Sequence, residues 1–273
     1  MKEKPWFILA EKILEGLLVT ACAVLSVAWL IDKPLFYSDS QPVMSVFTSL
    51  SLFLMVGVRL ARKFLFAWPL PMSLAIIGLV LGGNVSSILM QTSMPGAILQ
   101  SFSGLVMTSV MTSIGLVLFC FYELRIVLRD TPDSAFILDD ILLHLAFVPG
   151  GLSLLGHLLN NPGYLSKGSD PRVGISLLEM FFMGLYAITA VLSNPKLFLW
   201  RFLAASWSNR LVFAALFANQ FIAPLVVAWL TGPSDNPGPG LELFVMLAGV
   251  IATLSFLLVQ AYLSRTERQT ENP

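Results

Sequence analysis

The chain has 273 residues, of which 56% are hydrophobic and 12% charged, with a mean hydropathy of +0.82. A soluble domain carries about 25% charged residues, so this deficit excludes an ordinary water-soluble globule and points to lipid as the solvent. Sixteen basic and sixteen acidic residues cancel, and this balance gives no indication of nucleic-acid binding.

A helix that crosses ~30 Å of hydrocarbon needs about 20 mostly apolar residues. Eight segments qualify. The first, 13–31, follows Lys2, Lys4 and Lys12 and contains Val19-Thr20-Ala21-Cys22, a loose match to a lipoprotein cleavage site. Its apolar run continues to Ile31, so an uncleaved first span is expected. Spans two to four follow at 43–60, 68–90 and 98–122, and spans five to eight at 137–159, 174–193, 210–231 and 241–263. Turn chemistry separates them, as in Ser38-Asp39-Ser40-Gln41-Pro42, Asn160-Asn161-Pro162-Gly163 and the Pro/Gly-rich stretch from Gly232 to Gly240. The expected fold class is an all-α membrane protein of eight transmembrane helices. Cys22 and Cys120 lie inside spans and read as small buried hydrophobes, not as a disulfide.

Basic residues orient the spans. Thirteen of the sixteen, among them Arg59, Arg62, Lys63, Arg125, Arg129 and Lys196, fall at one set of ends; only Lys33, Lys167 and Arg172 fall at the other. The positive-inside rule then puts both termini in the cytoplasm. Trp6, Trp68, Trp200 and Trp207 sit near cytoplasmic ends, and Trp29 and Trp229 near outer ends. Indole rings favour these interfaces, where one face is apolar and one donor can be wet.

The outer approach to span two, Ser38-Asp39 through Ser45, matches Ser169-Asp170 through Ser176 before span six. Leu81-Gly82-Gly83-Asn84 in span three likewise matches Leu216-Phe217-Ala218-Asn219 in span seven. These matches suggest two parallel four-helix halves, 1–131 and 132–273, in one membrane domain.

Polar groups within spans are the first places to seek function, because leaving them unpaired in hydrocarbon is costly. Glu179 stands near the outer end of span six, Asn84 in span three, Asn219 and Gln220 in span seven and His144 in span five. These five are the candidate ligand-binding residues. Glu179 suits a cation, a proton or a polar ligand, or else ties helices together. Asn84 and Asn219 are candidates to face each other across a pseudo-symmetry axis. Gln100 and Gln260 lie near span ends. Candidate hinges are Pro149-Gly150-Gly151 in span five and Pro224 in span seven, since such breaks line cavities or bend. Thr108, Ser109, Thr112 and Ser113 form small-residue faces in span four, suited to close packing.

His144 and His157 do not make a haem pair: thirteen residues at about 100° each set the rings some 140° apart, and no third histidine exists. Asp139 and Asp140 suit the N-terminal dipole of span five. No phosphate loop, metal-ligand spacing or nucleophile triad is present, so neither an enzyme activity nor a cofactor is expected.

From Ser193 the chain reads Ser193-Asn194-Pro195-Lys196, then Leu197 to Leu203, then Ser206-Trp207-Ser208-Asn209-Arg210-Leu211, and later Ile222-Ala223-Pro224 through Ala228-Trp229-Leu230. This resembles the eight-helix membrane-embedded sensor regions that precede histidine-kinase or diguanylate-cyclase domains in bacterial proteins. There a Ser-x-Pro turn leads to an interfacial segment, an arginine-containing turn and a helix with a Pro…Trp-Leu stretch. The resemblance covers about 150 residues of the chain. It implies a multi-pass protein of the bacterial inner membrane engaged in signal transduction. It assigns no site residues, because the ligands of such regions are mostly undefined. The sequence departs from the family by stopping about ten residues after span eight, at Pro273. The expectation is therefore a truncated sensor, or one that works through a separate partner.

Three functions follow as expectations. The first is a sensory or regulatory module without its own output domain, either a homodimer or bound to a separate membrane or cytoplasmic protein. The second is a transporter or channel using Glu179 and the broken helix. The third is an accessory subunit of a larger membrane complex.

Overall fold

The computed structural model describes residues 5–31, 33, 35, 44–65, 68–93, 108–129, 137–159, 175–231 and 240–271. All regular structure among them is helical. The elements are α1 (Pro5–Leu30), α2 (Val46–Phe64), α3 (Leu70–Ser93), α4 (Val110–Leu128), α5 (Ile137–Ala146), α6 (Val148–Leu158), α7 (Leu177–Ser193), α8 (Phe198–Ala205), α9 (Trp207–Thr231) and α10 (Leu241–Glu271). The loop motifs at 38–42, 160–163, 169–173 and 232–239 lie outside the described residues, as do Gln100, Lys167 and Arg172.

Six helical units are long and apolar enough to cross a membrane: α1, α3, α4, α5 with α6, α9 and α10. A seventh forms if α7 and α8 count as one span bent by 74°. Helix α2, which carries Arg59, Arg62 and Lys63 in its last two turns, is not among them.

Local chemistry sets the starts and breaks. Ser45, Ser109 and Ser176 each cap a helix, accepting from the backbone N–H of Thr48, Thr112 and Glu179 respectively. A capping serine satisfies one of the donors that every helix start leaves unpaired. Helix α4 therefore begins at Val110, so Thr108 and Ser109 precede it and do not share a helical face with Thr112 and Ser113. The break in span five falls at Phe147, two residues before Pro149. Proline lacks the N–H that would pair with Leu145 O, and its ring collides with that carbonyl. Helix α9, by contrast, runs unbroken past Pro224.

Hydrogen bonds show how successive helices alternate in direction. At one end Trp29 Nε1 donates to Met44 O, Gln91 Nε2 to Thr108 O and Ser153 Oγ to Ile175 O. These join the end of α1 to the start of α2, the end of α3 to the start of α4, and α6 to the start of α7. At the opposite end Arg125 and Arg129 both bind Asp139, joining the end of α4 to the start of α5.

One large apolar core runs through α1, α2, α3, α4, α5 and α7 and includes Leu18, Met55, Ile77, Phe119, Leu143 and Tyr186. Two smaller clusters attach the last hairpin. Met246 of α10 packs on Leu152 and Leu155 of α6, and Leu257 and Ala261 of α10 pack on Phe198 and Phe202 of α8. Helices α9 and α10 pack chiefly on each other. Gly249 permits this: a Cβ there would stand 2.8 Å from both Cα and Cβ of Gln220. Large apolar side chains cover the outside, among them Leu79, Phe181, Trp229, Phe244 and Ile251. Apolar surface on this scale suits a lipid solvent.

Candidate functional site

Two clusters of buried polar groups stand out, one at each end of the α2–α4–α7 core. The first is built on Glu179, which is 1% exposed. Helices α2, α4 and α7 all start at this end, with the spacing Ser45-x-x-Thr48, Ser109-x-x-Thr112 and Ser176-x-x-Glu179. The Glu179 carboxylate accepts from four donors. Oε1 takes the Thr48 hydroxyl at 2.7 Å and the Ser45 N–H at 3.2 Å. Oε2 takes the Thr112 hydroxyl at 3.1 Å and the Ser176 N–H at 3.3 Å. Ser45 Oγ also pairs with Thr108 Oγ1 at 2.9 Å. Three helix N-termini, each carrying the positive end of a dipole, thus converge on one carboxylate. Both oxygens are engaged, so the geometry is that of a tie between helices.

The second junction was invisible as such in the sequence. Arg59, 7% exposed, donates to Glu123 through Nε at 3.1 Å and through Nη2, and to the Thr189 hydroxyl at 3.1 Å. Glu15 lies 3.7 Å from the guanidinium, and Tyr186 presents its ring 4.7 Å below it. The Tyr186 hydroxyl donates to Glu123 at 2.6 Å. Lys63 extends the network to Glu11, Glu15 and Ser193. Four helices, α1, α2, α4 and α7, are joined here. By charge arrangement Arg59 is one of thirteen end cations, but it is a buried ion-pair centre. The available signal was the coincidence of Glu15 and Arg59 within apolar helical stretches and of Glu123 just beyond one.

The remaining candidates separate. Asn84 Nδ2 donates to Ser51 Oγ at 3.2 Å and to Val80 O at 2.9 Å, tying α3 to α2. Asn219 is exposed on α9, so the two asparagines do not face each other. Gln220, next to it, is buried, and its Oε1 meets His144 Nε2 at 3.2 Å. His157 lies 3.4 Å from Ile175 O, so the two histidines serve different contacts. Asp139 and Asp140 also divide their work. Asp139 holds Arg125 and Arg129, whereas Asp140 accepts from the N–H groups of Phe198 and Leu199 at 3.0 Å each. Asp140 thereby caps α8 from another helix and fixes the turn at which α7 bends away. In that turn Asn194 Oδ1 accepts from Lys196 N–H, and Trp200 Nε1 donates to Val191 O.

Beside the break at Phe147 lies a cavity of about 310 Å³ between α6, α7 and α9. Gly150, Gly151, Met180, Met183, Phe217 and Phe221 are among its walls. No family model matches the chain, and no curated protein or solved structure is significantly similar to it.

Proposed function

We propose that this chain is a multi-pass membrane module for sensing or regulation, which passes its signal to a partner through α10. The carrying observation is the form of that helix. It is unbroken for 31 residues, about 46 Å at 1.5 Å per residue, against ~30 Å of hydrocarbon. Its apolar part, Leu241–Ser264, is followed by Arg265, Glu267, Arg268 and Glu271 in the same helix. Movement of the membrane part is transmitted rigidly by such a helix. The hairpin of α9 and α10 stands apart from the ion-paired core, held by two small apolar clusters and by His144–Gln220. A stimulus acting at the break beside α9 can shift it without breaking either buried junction.

In this reading eight helices cross a bacterial inner membrane, with α2 as the central crossing and α7–α8 as a span ending in an interfacial step. Both termini are cytoplasmic. The antiparallel run of successive helices and the placement of Arg59, Lys63, Arg125 and Arg129 at one end support it, with Lys33 at the other. The shared capping roles of Ser45 and Ser176 support the paired halves.

The test has two arms. A photocrosslinker at Gln269 in the intact chain should capture one cytoplasmic or membrane protein, or a second copy of the chain, in living cells. Capture of lipid alone would remove the output role. In a cysteine-free background, Lys33→Cys should react with an impermeant maleimide outside intact cells, and Lys196→Cys only after permeabilisation. Reaction of both from outside would overturn the topology. A transport reading requires Glu179 to release its ligands; its test is ligand-dependent flux in liposomes that disappears in Glu179→Ala.

A further inference from the structure

The cavity between α6, α7 and α9 belongs to neither polar junction, and its walls restrict what fits it. Gly150 of α6, Gly184 of α7, and Phe217 and Phe221 of α9 supply carbon surface from the middle parts of their spans, and Met180, in the first turn of α7, supplies it nearer the Glu179 end. Four of these five residues stand away from the span ends, so the site lies within the hydrocarbon and not at a headgroup layer. These five residues are half-buried, which puts the mouth on the outside of the bundle, beside the exposed Phe181 and Ile222. Folded interiors keep few voids larger than a water molecule, and about 310 Å³ lies at the lower end of the ~300–1,000 Å³ typical of ligand sites. What reaches such a mouth at that depth is the far end of a lipid tail.

We propose that this cavity binds the terminal part of one acyl chain of a bilayer lipid. Gly184 leaves open space where a side chain would stand, since a Cβ there meets nothing within 4 Å. A methylene chain can lie along the helix backbone at that point. Met180 and Met183 are unbranched and follow the outline of a flexible guest. Phe217 and Phe221 close the side towards α9. A bound chain thus stands between α7 and α9, and its length sets how far α9 lies from the core. That last link rests on the signalling role proposed above; the binding does not, so the two can fail separately.

The full chain, in nanodiscs of dioleoyl phosphatidylcholine, is irradiated with phosphatidylcholine bearing a diazirine at the end of one acyl chain. Adducts mapped by mass spectrometry should concentrate on Met180, Met183 and Phe221. Gly184→Leu should cut them about fivefold while leaving adducts on the exposed Ile251 unchanged. Met180→Phe is a second filling variant should Gly184→Leu not fold. A diazirine next to the glycerol should not label the cavity. Cavity adducts no stronger than those at Ile251, or unmoved by both fillings, would overturn the proposal. So would preferential labelling by a free fatty acid with the same terminal probe, because the source would then not be a bilayer lipid.

Discussion

Replacing Glu179 should destabilise the bundle in a graded way, Gln less than Ala. The carboxylate accepts two backbone N–H groups and two hydroxyls. Hydroxyls of Thr48 and Thr112 can turn to their other partners, Ser45 Oγ at 2.9 Å and Ser109 Oγ at 2.8 Å. The N–H groups of Ser45 and Ser176 have no such freedom. In Glu179→Ala both lose their acceptor, at ~1–3 kcal/mol each, giving about 2–6 kcal/mol. Hydrogen bonds between membrane helices average only ~0.6 kcal/mol, so four of them set a floor near 2.4 kcal/mol. We therefore expect a loss of about 4 kcal/mol for Ala. In Glu179→Gln one oxygen remains, and one N–H is left facing an NH₂ group. Adding the weaker pull of an uncharged acceptor on the other pair, the loss should be about 2–4 kcal/mol. Reversible unfolding in bicelles by steric trapping measures both. An Ala variant within 1 kcal/mol of wild type would refute the claim that the converging helix starts depend on this carboxylate.

Other expectations concern the remaining ties. Arg59→Met should cost about 3–5 kcal/mol, because Glu123 is left buried without its cation while Glu15 keeps Lys63; adding Glu123→Gln should restore part of it, and strict additivity in the same unfolding assay would count against the pair. Asp140→Ala should cost about 1 kcal/mol and raise hydrogen exchange in 198–205 while leaving α2 and α4 protected; unchanged exchange in that segment would deny the cap its role. Gly249→Leu should force α9 from α10 and cost about 1–3 kcal/mol, with reduced disulfide crosslinking between cysteines placed on the two helices as the readout.

Six of the eight expected spans were legible as long apolar helices, or seven with the bent α7–α8 pair, because twenty greasy residues in a row admit few other readings. Capping was legible in part: Ser45 and Ser176 stand out at matching offsets, yet Ser109 sits inside an apolar run, and span four accordingly reads as starting at 98. The Pro149 break was visible, although the helix parts at Phe147 because the clash of a proline falls upstream of it. What sequence could not give is which faces meet. Glu179 stood out in the sequence as a buried acid, but three of its four hydrogen-bond donors come from α2 and α4 and their caps, at sequence distances of 67 to 134. Arg59 was hidden by its company, since Arg62 and Lys63 beside it make an ordinary cationic helix end. Asn84 and Asn219 looked alike in their local strings but differ in burial, which periodicity in a uniformly apolar helix cannot report.

Both polar junctions draw on helices made early and helices made late. When α2 and α4 have been made, the Ser45 N–H and the Thr112 hydroxyl still await an acceptor that α7 carries. Arg59 and Glu123 likewise lack Tyr186 and Thr189 until the same helix arrives. Docking of α7 is therefore the step that locks the earlier segments, and a ribosome stalled before it would leave a loose, protease-sensitive bundle. Expressing 1–131 and 132–273 as separate polypeptides should yield stable protein only when both are made in the same cell.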